Sequence, residues 1–250
     1  MTRLVSAEIF KLRTTRTFYG IVGGALGLVL LIVILVSALV TFAPDDQPVE
    51  DMMGVAGLVQ AFALVLGILS ITSEFRHGTI TPSLLVVPDR IKLTLAKLIA
   101  ATLTGLAIGL VSTVLIVVIV AVFGSVRDFP TDEIGRGSLI IGGTLVCGLY
   151  AALGVGLGAL VRNQVGAIVG ALVYMFVLEP LASGLLSLSD SLDGFMPKYS
   201  LGAVSSWLAG VSPDTEVLLE QFPAGLLLTL YAAIFIAAGL YMLRRRDVTA

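Results

Sequence analysis

Cysteine and histidine are almost absent from this chain, which has one residue of each, Cys147 and His77. A single cysteine cannot form a disulfide within the chain, and its place inside an apolar run favours a small buried hydrophobic residue. One cysteine and one histidine on different apolar runs also leave a metal ion without ligands. A disulfide scaffold is therefore excluded, and a metal site is not expected.

Charge is scarce as well. Of 250 residues, 13% are charged and 57% are hydrophobic, and the mean hydropathy is strongly positive. Such a composition excludes a soluble domain and indicates a polytopic helical membrane protein. The net charge of -2 says little, because the distribution of the charges matters more than their sum.

Six apolar runs are long enough to cross a hydrocarbon core about 30 Å thick, which requires about 20 helical residues. The first run is longer than the core of a cleaved signal peptide, so we interpret it as a retained span. The sequence predicts an all-α integral membrane protein whose residues 1–250 form a single transmembrane domain. The predicted spans are 18–42, 55–73, 98–123, 139–161, 165–183 and 223–243.

Lysine and arginine are concentrated on alternate connections between these spans. The amino-terminal segment holds four, segment 74–97 four, the turn at 162–164 one and the tail after residue 243 three, which makes twelve. The other connections hold Arg127, Arg136 and Lys198. By the positive-inside rule, both termini and segment 74–97 are expected in the cytoplasm.

Residues 1–17 have the pattern of a short amphipathic helix. Val5, Ile9 and Leu12 recur at helical spacing, whereas Glu8, Lys11 and the arginines are assigned to the other side. We expect this segment to lie flat in the membrane interface before the first span. The alternative is that these residues serve only as a positively charged anchor at the membrane surface.

The predicted outer segment 184–222 is long and partly apolar. Two brief helical pieces, separated by Asp193-Gly194 and Met196-Pro197, fit it better than a strand or a coil. Each piece is too short to cross, so the pieces should dip into the membrane and return where protein or a wet cavity covers them. Trp207 and Tyr199 are expected as anchors at the outer interface.

The longest charged break on the predicted cytoplasmic side is segment 74–97, EFRHGTITPSLLVVPDRIKLTLAK. Gly78 permits a sharp backbone turn. Thr79 or Thr81 can cap a short helix, which Pro88 then ends. The residues just before Pro88 are too few to span a membrane and too apolar to lie free in water, so a partner or the interface should cover them.

The order E-x-R-H-G-T-I, then leucines, P-x-R and a lysine resembles the loop between spans two and three of type-2 ATP-binding-cassette (ABC) exporter permeases. In that family this loop forms a coupling helix that docks on the ATPase subunit. The family also has an amino-terminal interfacial helix and re-entrant helices between spans five and six. The resemblance implies ATPase-coupling roles for these residues: Glu74, Arg76, His77, Gly78, Thr79, Leu84, Leu85, Pro88, Arg90 and Lys97.

Within the predicted spans, one residue is formally ionisable at ordinary pH, Glu179, which precedes Pro180. A carboxylate inside a span costs about 2.5–3.5 kcal/mol, so it needs a partner, a proton or water. At about 21 Å along its helix from Val165, it should lie in the outer third of the bilayer. Two interpretations stay open: a residue of the translocation path, or a carboxylate satisfied by hydroxyls or by backbone donors near Pro180.

Pairs of glycines at helical spacing allow helices to approach closely. We interpret Gly20 with Gly24, and Gly23 with Gly27, as a candidate dimer face in the first span. The remaining pairs are interpreted as packing within one chain: Gly105 with Gly109, Gly154 with Gly158, and Gly166 with Gly170.

Three function classes can be compared on these grounds. No lysine follows a glycine, so the phosphate loop G-x-x-x-x-G-K-[ST] is absent and any ATPase must be a separate subunit. An intramembrane enzyme would need a second acid or a base that the spans do not offer. A secondary transporter would be expected to carry more buried charges and an inverted repeat. These last two classes, which work without an ATPase, are the alternatives to an ABC permease.

The resemblance implies a multi-pass permease of a bacterial ABC exporter in the cytoplasmic (inner or plasma) membrane. Its substrate would be amphipathic or hydrophobic, such as a drug, a peptide antibiotic or a lipid, and would move outward. The implied partners are two copies of an ABC ATPase subunit and a second permease chain, identical or paralogous, in a lipid bilayer. No nucleic acid and no cofactor are expected on this chain, because the ATPase subunit would bind ATP and Mg.

Overall fold

The computed structural model describes residues 1–43, 46, 48–128, 137–161, 163–188, 195–211 and 219–245. Within these ranges the chain is helical and has no β-strand. A π-helical turn, Tyr174–Leu178, joins α7 to α8. The α-helices are α1 (Thr2–Arg13), α2 (Arg16–Leu39), α3 (Pro48–Arg76), α4 (Ile80–Val86), α5 (Arg90–Arg127), α6 (Gly137–Val161), α7 (Gln164–Val173), α8 (Glu179–Leu186), α9 (Phe195–Tyr199), α10 (Leu201–Ala209) and α11 (Gln221–Arg245).

Six helices in the described ranges are long and apolar enough to cross a membrane. They are α2, α3, α5, α6, α11 and the continuous rod formed by α7, the π turn and α8. The shortest of them have 23 residues and measure about 35 Å, which exceeds a hydrocarbon core of about 30 Å. The prediction of an all-α membrane protein with six spans is confirmed.

The helix α5 is much longer than the predicted third span. Its 38 residues extend over about 57 Å. It begins at Arg90 because the Asp89 carboxylate accepts hydrogen bonds from the backbone amides of Ile91 (3.0 Å) and Lys92 (3.1 Å). These bonds, above all the one from the Lys92 amide, lower the pKa of the Asp89 carboxyl. Residues 90–97, which the sequence analysis treats as the end of a connection, are therefore the first turns of a helix.

The short helix α4 stands between α3 and α5. Gly78 precedes it with a φ of 66°, in the left-handed region, as the predicted sharp turn requires. Thr79 occupies the N-cap position, but its side chain makes no capping hydrogen bond. After α4, Val87 adopts an extended conformation because the ring of Pro88 disfavours a helical residue before it.

The helix α6 lies at the centre of the bundle and packs against α3, α5 and α11. Backbones approach most closely where Gly67 of α3 faces Gly154 of α6. A Cβ atom at Gly67 would lie 2.1 Å from the carbonyl oxygen of Ala151, and one at Gly154 would lie 2.2 Å from that of Leu64. Such contact supplies van der Waals packing where lipid removes the hydrophobic drive between helices.

The other glycine pairs divide into packed and open positions. Gly105 and Gly109 face the backbone and side chain of Cys147, so their predicted packing role is confirmed. A Cβ atom at Gly170 would meet no described atom within 4 Å, and the packing role predicted for that residue is wrong. Gly20, Gly23 and Gly27 of α2 are equally open, so this side of α2 has room for a second surface.

Contacts between the end regions of different helices occur at the two opposite ends of the bundle. At one end, Lys97 of α5 contacts Glu8 of α1, and the Arg90 guanidinium donates to the carbonyl oxygen of Leu243 in α11 at 3.4 Å. At the other end, the Arg127 guanidinium donates to the Ser37 carbonyl oxygen at 2.8 Å, which joins the last turns of α5 and α2. We call the first the α1 end and the second the α10 end.

The α10 end is shaped by a break in the rod of α7 and α8. Pro180 has no amide hydrogen, and its ring crowds the carbonyl four residues earlier, so the regular α-helix gives way to the π turn at Tyr174–Leu178. Beyond α8, Met196-Pro197 lies inside α9 rather than between two pieces as predicted. The separation falls at Ser200, whose hydroxyl caps α10 by accepting from the Ala203 amide. The Asp193-Gly194 pair lies outside the described residues.

Trp207 of α10 belongs to the core. It is 4% exposed, and its indole N–H donates to the carbonyl oxygen of Pro197 in α9 at 3.0 Å. The interpretation of Trp207 as an interfacial anchor is therefore wrong, because its polar atom is satisfied by the preceding helix rather than by the membrane surface.

Candidate functional site

The helix α1 turns an acidic residue toward the bundle. Glu8 is 8% exposed and lies on the helical face of Val5 and Leu12, from which it is three and four residues away. The prediction that Glu8 lies on the other side of α1 is wrong. A buried cation opposite Glu8 makes its inward orientation favourable.

Four charged side chains form what we call the ion cluster: Glu8, Lys11, Glu74 and Lys97. The Lys97 ammonium nitrogen, Nζ, lies 2.7 Å from Glu8 Oε2 and 2.9 Å from Glu74 Oε1. Lys11 Nζ donates to the same oxygen of Glu74. The side chains of Glu74 and Lys97 are each 2% exposed. Because two cations oppose two carboxylates, the charges that α3 and α5 bury are compensated.

The cluster also reaches α4. Ser83 Oγ lies 3.4 Å from Glu74 Oε1, the oxygen that both lysines contact. Four helices, α1, α3, α4 and α5, are therefore joined at one carboxylate. The same Ser83 hydroxyl also lies 3.0 Å from the carbonyl oxygen of Thr79, so its single proton has two acceptors.

The predicted ATPase-coupling residues fall into two groups. Glu74 and Lys97 are buried in the ion cluster, and Arg90 is partly buried against α11. The side chain of Leu84 is outside the described part of the structure. The residues exposed at the surface are Arg76, His77, Gly78, Thr79, Leu85 and Pro88.

Sequence reasoning missed the contribution of α1 to this site. It singled out Glu74 and Lys97 but neither Glu8 nor Lys11, which complete their pairing. The available signal was the spacing of Glu8 with the apolar residues of α1, which places a carboxylate on the inward face. Its cation, Lys97, is 89 positions away in the sequence, so the spacing of residues in α1 could not identify it.

A cavity of about 380 Å³ lies beside the ion cluster. Its lining includes Glu8, Lys11 and Glu74, together with Ser73 and Gln164. Among the described residues, neither Glu74 Oε2 nor Gln164 Oε1 has a hydrogen-bond partner, although both atoms are buried. The cavity therefore borders three members of the ion cluster, next to α1 and α3.

At the α10 end, Glu179 begins α8 directly after the π turn. It is 9% exposed, and its Oε1 accepts a hydrogen bond from the backbone amide of Gly202 in α10. This donor belongs to another helix and not to the backbone near Pro180, which the sequence offers as a source of donors. This hydrogen bond therefore connects α8, directly after the π turn, to α10.

Glu179 also lines a cavity of about 560 Å³, which we call the Glu179 cavity. Its polar lining includes Gln60 of α3 and Tyr150 of α6. The Tyr150 hydroxyl lies 3.3 Å from both Ser205 Oγ and the Leu201 carbonyl oxygen, which fixes its position against α10. The cavity thus combines a carboxylate, an amide and held hydroxyl groups within an apolar bundle.

Six membrane-length helices, with a buried ion cluster at one end and a polar cavity toward the other, define a multi-pass membrane protein with features suited to transport. The family model described as ABC-2 family transporter protein matches residues 4–178. The match covers well over half of the chain, and the chain belongs to this family. A search of curated proteins found no match.

Family membership confirms the predicted type-2 ABC permease and implies that this membrane transport component associates with an ABC ATPase. The matched residues include all four members of the ion cluster. Glu179 and the helices α8 to α11 follow the matched segment. The Glu179 cavity is therefore built in part from residues beyond the shared family region.

Proposed function

We propose that this chain is the permease subunit of an ABC exporter that moves an amphipathic or hydrophobic substrate outward. ATP hydrolysis on a separate subunit, which would bind ATP and Mg, provides the energy. The observation that carries this proposal is the ion cluster. It joins α4, in the position of the coupling helix, to α1 and α5 through one buried carboxylate.

The surface of segment 74–97 supports docking of the ATPase. Leu85 is 80% exposed on a helix of seven residues, too short to be stable in water by itself. Arg76 and His77, which precede the turn at Gly78, are exposed polar residues. The exposed Leu85 side chain is therefore available for contact with a partner protein.

In the proposed mechanism, closure of the ATPase pushes on α4 and on the turn at Gly78. The push passes from Ser83 to Glu74, and from Glu74 to Lys97 at the start of α5. Lys11 and Glu8 carry the same movement to α1, which the neighbouring cavity leaves free to shift. The spans would tilt and open a path at the α10 end, where Glu179 is the candidate translocation residue.

The proposed complex contains two permease chains, identical or paralogous, and two ATPase subunits in the bacterial cytoplasmic membrane. Both termini and the α1 end face the cytoplasm, in agreement with the excess of lysine and arginine on the connections at that end. The open glycines of α2 support this helix as the contact between permeases.

Docking can be tested with a matched pair of substitutions. Leu85→Asp and Leu188→Asp replace leucines that are 80% and 81% exposed near opposite ends of the bundle. The chain is co-expressed with its ATPase subunit, and the complex is purified in detergent. Leu85→Asp should reduce the recovered ATPase at least tenfold while Leu188→Asp leaves it unchanged.

Equal recovery with both variants would contradict docking on α4. Reconstitution of the lone chain tests the wider proposal. Substrate transport by the chain in liposomes without an ATPase or nucleotide would contradict an ATP-driven permease and favour a secondary transporter.

A further inference from the structure

In the Glu179 cavity, unlike the ion cluster, the described lining places no basic side chain opposite the buried carboxyl group. Glu179 is 9% exposed, and the hydrogen bond recorded for its carboxylate comes from the neutral amide of Gly202. Among the described residues that line the cavity there is no lysine, arginine or histidine. Lys198, on the neighbouring α9, instead lies over the ring of Tyr199, 5.6 Å from its centroid.

An ionised carboxylate away from bulk water is unfavourable unless a cation or hydrogen-bond donors compensate it. In the ion cluster, the protein itself supplies two cations for two carboxylates. The Glu179 cavity provides the anion and the space of about 560 Å³, but no cation from its described lining. With Glu179 ionised, a positively charged ligand would be attracted to this site and an anionic one repelled.

The apolar part of the cavity lining indicates which kind of molecule would bear the positive charge. Met53, Met175 and Met196 border the cavity, and unbranched thioether side chains adapt to ligands of different shape. Met175 also borders a second cavity of about 480 Å³, whose lining includes Leu157 and Phe235. A polar cavity and an apolar cavity therefore share the side chain of Met175, within the π turn that precedes Glu179.

We propose that the Glu179 cavity binds the cationic group of an amphiphile whose apolar body packs on Met175 and toward the adjoining apolar cavity. This inference rests on the proposed export function, because it narrows the substrate class from amphipathic or hydrophobic molecules to cationic amphiphiles. Glu179 is the residue that selects the charge. The matched pair of lipophilic ions tetraphenylphosphonium and tetraphenylborate, similar in size and opposite in charge, tests this selection.

Binding of each radiolabelled ion is measured on the full-length chain in phosphatidylcholine nanodiscs, with empty nanodiscs as the blank. We compare wild type, Glu179→Gln and the control Glu220→Gln, which changes an exposed carboxylate outside the cavity lining. The glutamine at position 179 keeps an oxygen to accept the Gly202 amide, so the helix contact is retained. Glu179→Gln should weaken tetraphenylphosphonium binding at least tenfold, whereas Glu220→Gln should not change it.

Wild type should also bind tetraphenylphosphonium at least tenfold more tightly than tetraphenylborate, a comparison that needs no variant and holds if Glu179→Gln fails to fold. Equal affinity for the two ions, no displaceable tetraphenylphosphonium binding, or unchanged binding in folded Glu179→Gln would each overturn the inference. None of these results bears on ATPase docking at α4. A failure of the exporter proposal would instead appear as transport without nucleotide.

Discussion

Lys97 and Glu74 form an ion pair of 2.9 Å in which both side chains are 2% exposed. Ion pairs on protein surfaces contribute little, because water screens them. This pair is different, since neither charge can return to water when its partner is removed. The contact therefore fixes the register of α3 against α5 at the α1 end, where α4 is attached.

Replacement of Lys97 by methionine should destabilise the protein strongly. The substitution leaves Glu8 without its cation and Glu74 with Lys11 alone, and loss of one partner in a buried pair costs about 3–5 kcal/mol. Thermal unfolding of the purified chain in detergent measures the effect. Lys92→Met is the matched control, because the ion pair of Lys92 with Asp89 is exposed and worth about 0–1 kcal/mol. Similar losses from both variants would contradict a structural role for the cluster.

The Glu74→Gln substitution should uncouple ATP hydrolysis from export. Glutamine keeps an oxygen that can accept from Ser83 but loses the charge that holds both lysines, so α4 would move without carrying α1 and α5. In purified complexes we expect normal membrane insertion, retained basal ATP hydrolysis and loss of substrate-stimulated hydrolysis. Unchanged stimulation would remove Glu74 from the proposed coupling route.

The turn at Gly78 allows a test that leaves the cluster intact. An alanine at φ 66° costs about 1–2 kcal/mol because its Cβ atom crowds the backbone in the left-handed region. We expect Gly78→Ala to lower transport-coupled ATP hydrolysis by shifting α4. Gly137→Ala serves as the control, since a Cβ atom there would meet no described atom within 4 Å. The idea fails if Gly78→Ala supports full coupled activity.

Close helix packing predicts a large difference between two other glycine substitutions. A methyl group at Gly154 would lie 2.2 Å from the carbonyl oxygen of Leu64, so α3 and α6 must separate, at about 1–3 kcal/mol. Gly20→Ala meets no described atom within 4 Å and should be neutral or slightly stabilising. Thermal unfolding of the two variants in the same detergent compares them directly, and equal midpoints would contradict the packing described here.

The open face of α2 predicts a contact between two copies of the chain. A Gly23→Cys variant in a Cys147→Ser background should give a crosslinked dimer in native membranes after mild oxidation. Val33→Cys in the same background is the control, because Val33 is fully buried inside the chain. Dimers from both variants, or from neither, would contradict an interface on this side of α2 in a complex of identical chains.

The features that sequence predicted well are those with local causes. Long apolar runs identified the six spans, because a bilayer core requires a fixed length of apolar helix. Gly78 and Pro88 marked the turn and the end of α4, because each restricts its own backbone or that of its neighbour. These constraints act over a few residues, so they can be predicted from the sequence without knowledge of the fold.

The features that sequence missed depend on distant partners. Glu8 meets Lys97 across 89 positions, and Trp207 is buried because α9 presents the carbonyl oxygen of Pro197 to it. The Glu179 carboxylate likewise finds its donor on α10 rather than on its own helix. The surroundings of each of these three side chains depend on how separate helices pack together. The spacing of residues along one helix does not reveal that packing.

The length of α5 has a mechanical consequence. Its 38 residues form a rod of about 57 Å, nearly twice the thickness of the hydrocarbon core, and its middle packs against α6 at Gly105 and Gly109. A rotation of about 5° about that point moves its two tips by about 5 Å relative to one another, given the helical rise of 1.5 Å per residue. In the proposed mechanism, a small push beside Lys97 would therefore also move Arg127 at the opposite end of the rod.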